Sequence, residues 1–187
     1  MAAKIYTPTH TLAYCASYDP ESINCQKCEC ECTDVEEALA LQECEAFYDV
    51  FVQTEKHLNN CGIVQEPIQA KQPILLSVPL RINGAFACEL ALKYLLINAN
   101  IPFNMGIGHN LEYLFSLLPQ DKKDDIVAYL EKEYNIEPEI FQSSLKTIAN
   151  TLNDQRYTFS KFSNNHSQDS LFSPFVHTVC KYVLEIA

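Results

Sequence analysis

Punctuation constrains this chain more than any other feature of its sequence. Only four glycines occur, and the nine prolines fall between apolar runs. That distribution suits long helices separated by stops, not a succession of tight hairpins. The expectation is an all-α protein, an antiparallel bundle of roughly five to six helices behind an irregular N-terminal segment. Hydrophobic residues make up 48% of the chain and charged residues 20%, enough apolar side chain for a real core and too much for intrinsic disorder. A length of 187 residues allows one core, or one core with an appendage.

Charge narrows the function classes. Against 24 Asp and Glu stand 13 Lys and Arg, a net charge of −11 that opposes the diffuse phosphate attraction behind most non-specific DNA binding. Any nucleic-acid role therefore needs a local basic pocket. The opening residues Met1 to Pro8 lack an apolar signal core, and no apolar run approaches the ~20 residues of a membrane span. A cytoplasmic protein without a membrane partner is expected. In that compartment thiols stay reduced, so the nine cysteines read as free thiols or metal ligands before they read as disulfides.

Composition divides the chain into an irregular, cysteine-rich segment, residues 1–32, with room for a short extended piece, and a helical bundle, residues 33–187. Thr33-Asp-Val-Glu36 has the form of a capping box and predicts a helix closed by Gly62. Ile63 to Pro79, with three prolines, is expected to be a connector. A second helix is predicted over Leu80 to Asn98, and a short third one behind Asn110. Pro119 opens a fourth over Gln120 to Tyr134. Pro138 opens a fifth, with the apolar stripe Phe141, Leu145, Ile148, Leu152 and Phe159. A polar loop, Ser163 to Ser173, precedes a last helix from Pro174 to Ile186. Cys88 and Cys180 fall within helices and are expected in the core. Asp124, Asp125, Glu131 and Glu133, interleaved with lysines, read as a solvated charged face.

Chemistry concentrates on the second helix. Phe86, Glu89, Lys93 and Leu96 share one face by their spacing, so two charges lie in line with two large apolar groups. An exposed Glu-to-Lys pair is the plain reading. Arg156, however, lies on or beside the apolar stripe of the fifth helix, where a guanidinium needs a carboxylate such as Glu89 to offset desolvation. His109, just before the third helix, is placed for its ring to face that helix's positive end, or to serve as a loop histidine. Glu89, Lys93, His109 and Arg156 together suit a phosphate or nucleotide group, provided the helices pack as neighbours.

Three segments carry a family resemblance: Phe86-Ala-Cys-Glu-Leu-Ala-Leu-Lys-Tyr-Leu-Leu96, then Gly108-His-Asn-Leu-Glu-Tyr-Leu-Phe-Ser-Leu-Leu-Pro119, then Asn153-Asp-Gln-Arg-Tyr157. As an ordered set, spanning about Leu80 to Lys161, they resemble the HEPN superfamily of small helical bundles. The resemblance implies a fold that often dimerises and serves in RNA cleavage, nucleotide binding, or defence and toxin–antitoxin systems. It extends the candidate ligand-binding set to Glu89, Lys93, His109, Arg156, Tyr157 and Lys161. Catalytic members pair an arginine with a histidine after four to six intervening residues. Here Lys161 stands where that histidine would first fall, and His166 lies in the polar loop. A lysine of ordinary pKa, ~10.4, is a poor proton shuttle at neutral pH but a competent partner for a phosphate. The expectation is a non-catalytic homodimer that binds a nucleotide, RNA or protein partner. The alternatives are a metal-independent ribonuclease using Arg156 with His109 or His166, and an interaction module whose ion pairs are purely structural.

Cys25, Cys28, Cys30 and Cys32 supply enough thiols in number for a tetrahedral zinc. A single short segment would have to wrap the ion, with Cys15, Cys44 or His10 as substitute ligands. Reduced thiols and no cofactor are the expectation, with zinc the alternative.

Overall fold

A 31-residue helix, α1 (Glu31–Cys61), begins the bundle. It starts two residues before the predicted cap, which places Thr33 inside the first turn. The structure is a computed structural model and describes residues 5–6, 31–61, 72–104, 108–149 and 171–186. Cys25, Cys28, Cys30, Arg156, Tyr157, Lys161, His166 and Gly62 lie outside the described residues, as does the side chain of Cys32. Among the described residues α1 is followed by α2 (Gln72–Asn98), α3 (Leu111–Leu117), α4 (Gln120–Tyr134), α5 (Pro138–Ile148) and α6 (Phe172–Ile186). The fold is all-α, as the spacing of glycine and proline predicts. Two short extended pieces, β1 (Ile5–Tyr6) and β2 (Phe103–Asn104), pair antiparallel, with Ile5 opposite Asn104 and Tyr6 opposite Phe103.

The prolines do not all act as stops. Residues 72–79, expected in a connector, form the first turns of α2, and Pro79 lies inside the helix. Pro73, as its second residue, falls where the missing N–H has no intrahelical partner to lose. Pro79 removes one interior bond, a cost of about 3 kcal/mol. The carbonyl of Pro79 accepts from Asn83 Nδ2 at 2.7 Å. Burial outweighs that cost: Ala85, Ala87, Cys88, Ala91, Leu92, Leu95 and Leu96 are all buried. A helix apolar around its whole circumference belongs at the centre of a bundle. Accordingly α2 packs against α1, α3 and α6. At α6 the helix likewise starts two residues before the predicted boundary, since Phe172 and Ser173 are helical.

Local punctuation works as expected around α3 to α5. Asn110 caps α3, its side chain accepting from the Tyr113 N–H at 2.8 Å. Asn135 ends α4 in the left-handed region at φ 54°, which Asn tolerates because its short amide bonds locally. Pro138 occupies the first turn of α5. The Leu111 N–H donates to the Ala149 carbonyl at 2.9 Å, tying the end of α5 to the start of α3.

Gly84 lies where three elements meet. A Cβ at that position would lie 2.8 Å from Phe51 Cδ2 of α1 and 3.1 Å from Phe172 Cε1 of α6. Beside this junction Cys44 of α1, Cys88 of α2 and Cys180 of α6 are buried and free. Hydrogen bonding to the Cys180 sulfur, then burial, pushes the Cys44 thiol up, and burial does the same to Cys180. Such thiols are core side chains and not nucleophiles.

Candidate functional site

Glu89 is a carboxylate in the middle of the core. It lies on the face of α2 that looks toward β2 and the start of α3, and its side chain is 4% exposed. An isolated charge there would be expensive, so partners are required. Lys93, one turn on, reaches Oε1 with its Nζ at 2.6 Å. The Nδ1 of His109 lies 3.0 Å from Oε1 and 2.9 Å from Oε2. A carboxylate only accepts, so Nδ1 carries the proton in this contact. The exposed Glu-to-Lys pair of the plain reading is thus corrected: the pair is sunk into the core, with only its cationic members reaching solvent. Lys93 is 16% exposed and His109 39%.

The His109 ring faces Glu89 across the gap between α3 and α2, the buried carboxylate being a strong acceptor. Nδ1 being engaged, Nε2 is the ring atom directed away from Glu89. β2 forms the adjoining wall. The Lys93 ammonium lies 5.9 Å from the centroid of the Phe103 ring, and the Asn104 N–H donates to the Tyr113 hydroxyl at 2.9 Å. Of the residues singled out from the sequence, Glu89, Lys93 and His109 come together. Arg156, Tyr157 and Lys161 fall outside the described residues. The chain leaves for them from Ala149, the residue bonded to Leu111 two positions after His109.

Among the described residues no group of three or more His, Cys, Asp or Glu is arranged to hold a metal ion. Cys44, named as a substitute zinc ligand, is buried in the core. Asp124, Asp125, Glu131 and Glu133 are exposed, as a solvated face requires.

A second polar cluster escapes sequence reasoning. Tyr48 and Glu55 of α1 clasp His177 of α6. The Tyr48 hydroxyl lies 2.8 Å from Nδ1, and Nε2 lies 2.8 Å from Glu55 Oε2. The ring also packs edge-on against Phe51, centroid to centroid 5.2 Å. In the tautomer whose Nε2–H donates to the carboxylate, Nδ1 accepts from the phenol. Burial pushes the Tyr48 phenol well above the ordinary tyrosine range. The contacts span 129 and 122 residues of chain, so no local pattern announces them.

No protein-family model, curated protein or solved structure matches this chain. Among the described residues no helix is long and apolar enough to cross a membrane.

Proposed function

We propose that this chain is a non-catalytic HEPN-like helical domain whose Glu89–Lys93–His109 cluster binds the phosphate group of a nucleotide or RNA. One observation carries the reading: a nearly buried carboxylate holds two cation-capable groups whose outer parts face solvent. Replacing a buried charge pair with apolar groups is often neutral or stabilising, so its placement in a core helix is poorly explained by stability alone. With His109 protonated the cluster carries one net positive charge. Lys93 then offers a point charge and His109 Nε2 a directed donor, the pairing a phosphate oxygen needs. The sequence resemblance adds Arg156, Tyr157 and Lys161 to the ligand set, self-association as a homodimer, and a defence or toxin–antitoxin setting.

A second reading has its own observation. Both oxygens of Glu89 are already engaged, which suits a closed structural network in a protein-interaction module. Thermal unfolding of the full chain against inorganic phosphate, adenine nucleotides and short RNAs separates the two. A ligand at 100 times its Kd raises stability by about 2.7 kcal/mol. The phosphate reading requires a midpoint rise that disappears in Lys93→Met and in Arg156→Ala. If no probe moves the midpoint and the variants merely lower it, the cluster is structural.

A further inference from the structure

We propose that the cleft between α3, α4 and α5 is a docking groove for a basic amphipathic helix of a partner protein. The cleft encloses about 450 Å³, within the range of sites that take a ligand or an anchoring side chain. The floor is apolar: Phe115 of α3 and Leu145 of α5, 3% and 2% exposed, with half-buried Val127 of α4 between them. The rim is acidic, with Glu112 on one side and Asp124 on the other.

The cleft also holds one cation: Lys123 donates its ammonium to the Ser116 carbonyl at 2.6 Å, closing the C-terminal end of α3, and keeps its charge, so the lining is net negative by one. Asp124 accepts from the Gln120 amide at 2.8 Å. Among the described residues neither Glu112 nor Asp124 forms an ion pair. An apolar floor under a net negative rim, whose two carboxylates form no ion pair, is complementary to an apolar side chain flanked by Lys or Arg one turn away, the i, i+4 spacing of a helix. A net charge of −11 argues against a second copy of this chain as the occupant, and against RNA at this face.

The test uses the full chain and a fluorescent peptide of about 14 residues built from Leu and Lys at helical spacing, followed by anisotropy. Two companion peptides replace Lys with Glu, or Leu with Ser. Glu112→Gln with Asp124→Asn removes the rim charge, and Glu131→Gln with Glu133→Gln removes the same charge from α4 outside the cleft. The rim variant is expected to weaken binding roughly tenfold and the control less than about twofold. Val127→Arg, with its melting temperature checked, is expected to abolish binding. Failure of the Leu–Lys peptide to bind, equal losses in rim and control variants, or undiminished binding of the Ser peptide overturns the proposal.

Discussion

Two glutamate–histidine pairs sit in this bundle, and they are built the opposite way round. In the pair on α2 the carboxylate is buried and the imidazole looks outward, 4% against 39% exposed. In the pair joining α1 to α6 both partners are half-hidden, at 23% and 17%, and the deeply buried member is the Tyr48 phenol beyond them. The first gathers positive groups around a sunken charge and leaves them facing water. The second fastens two helices through a ring bonded to a phenol on one side and a carboxylate on the other. The same side-chain types therefore produce a solvent-facing cluster in one place and a clasp in the other, according to which member the fold buries.

The largest expected effect concerns the clasp region and the thiols beside it. Cys44 and Cys180 are held protonated in the fold above the ordinary thiol value of 9.0, and Tyr48 above the ordinary phenol value of 10.0. Above pH 9 the unfolded chain loses protons that the folded chain keeps, so the unfolded state gains and stability falls as pH rises. Each such group contributes about 1.4 kcal/mol per pH unit, hence about 3 for the two thiols. Urea unfolding at about pH 8 and about pH 10 checks this. Cys44→Ala with Cys180→Ala should flatten the dependence, and a slope unchanged in that variant would remove the thiols as its cause.

Next comes the sunken charge itself. Glu89→Ala strips two donors of their acceptor and opens a cavity, for a loss of about 3 kcal/mol. Glu89→Leu combined with Lys93→Met fills the same space without charge and should recover most of it. Chemical denaturation of the three proteins decides. If the apolar double variant is as unstable as Glu89→Ala, the cluster stabilises the fold directly and its contrast with the clasp narrows.

How much of this was legible in the sequence follows the same division. Asn110, Pro119 and Pro138 announce their boundaries because caps and first-turn prolines act over one turn of chain. Glu89 and Lys93 share a face by spacing alone, and His109 stands out as a lone ring behind glycines. Pro79 misleads, since its local penalty is overridden by the burial of all that follows it in α2. Tyr48, Glu55 and His177 could not be read, because their alignment depends on how α1 and α6 pack and not on any interval between them.

That packing is itself testable at Gly84. An added Cβ meets Phe51 and Phe172. Overpacking costs about 1–3 kcal/mol, against a gain of about 1 from replacing glycine within a helix. Gly84→Ala should therefore lose about 1 kcal/mol net, and it should disturb the clasp more than the α2 cluster. The imidazole resonances of His177 and His109 report on each separately. Closer to the clasp, Tyr48→Phe and His177→Leu should show a coupling energy of about 1 kcal/mol in a double-mutant cycle. Additive losses would mean that the 2.8 Å contact contributes no more than the packing of its rings.

The smallest effect sharpens the contrast most. His109 is more than a third exposed, so water competes for its ring and screens its contact with Glu89. His109→Ala leaves Glu89 the Lys93 donor and should cost only about 0.5 kcal/mol in dilute buffer, less still at ~1 M salt, where screening reaches ~3 Å. His177→Ala removes a ring packed against Phe51 and should cost several times as much with little salt dependence. Unfolding of both variants at low and high salt measures the difference. A loss at His109 as large and as salt-insensitive as that at His177 would make it a second clasp. A small, screened loss would mark it as a group whose position is not set by stability, which is the property a ligand-binding side chain needs.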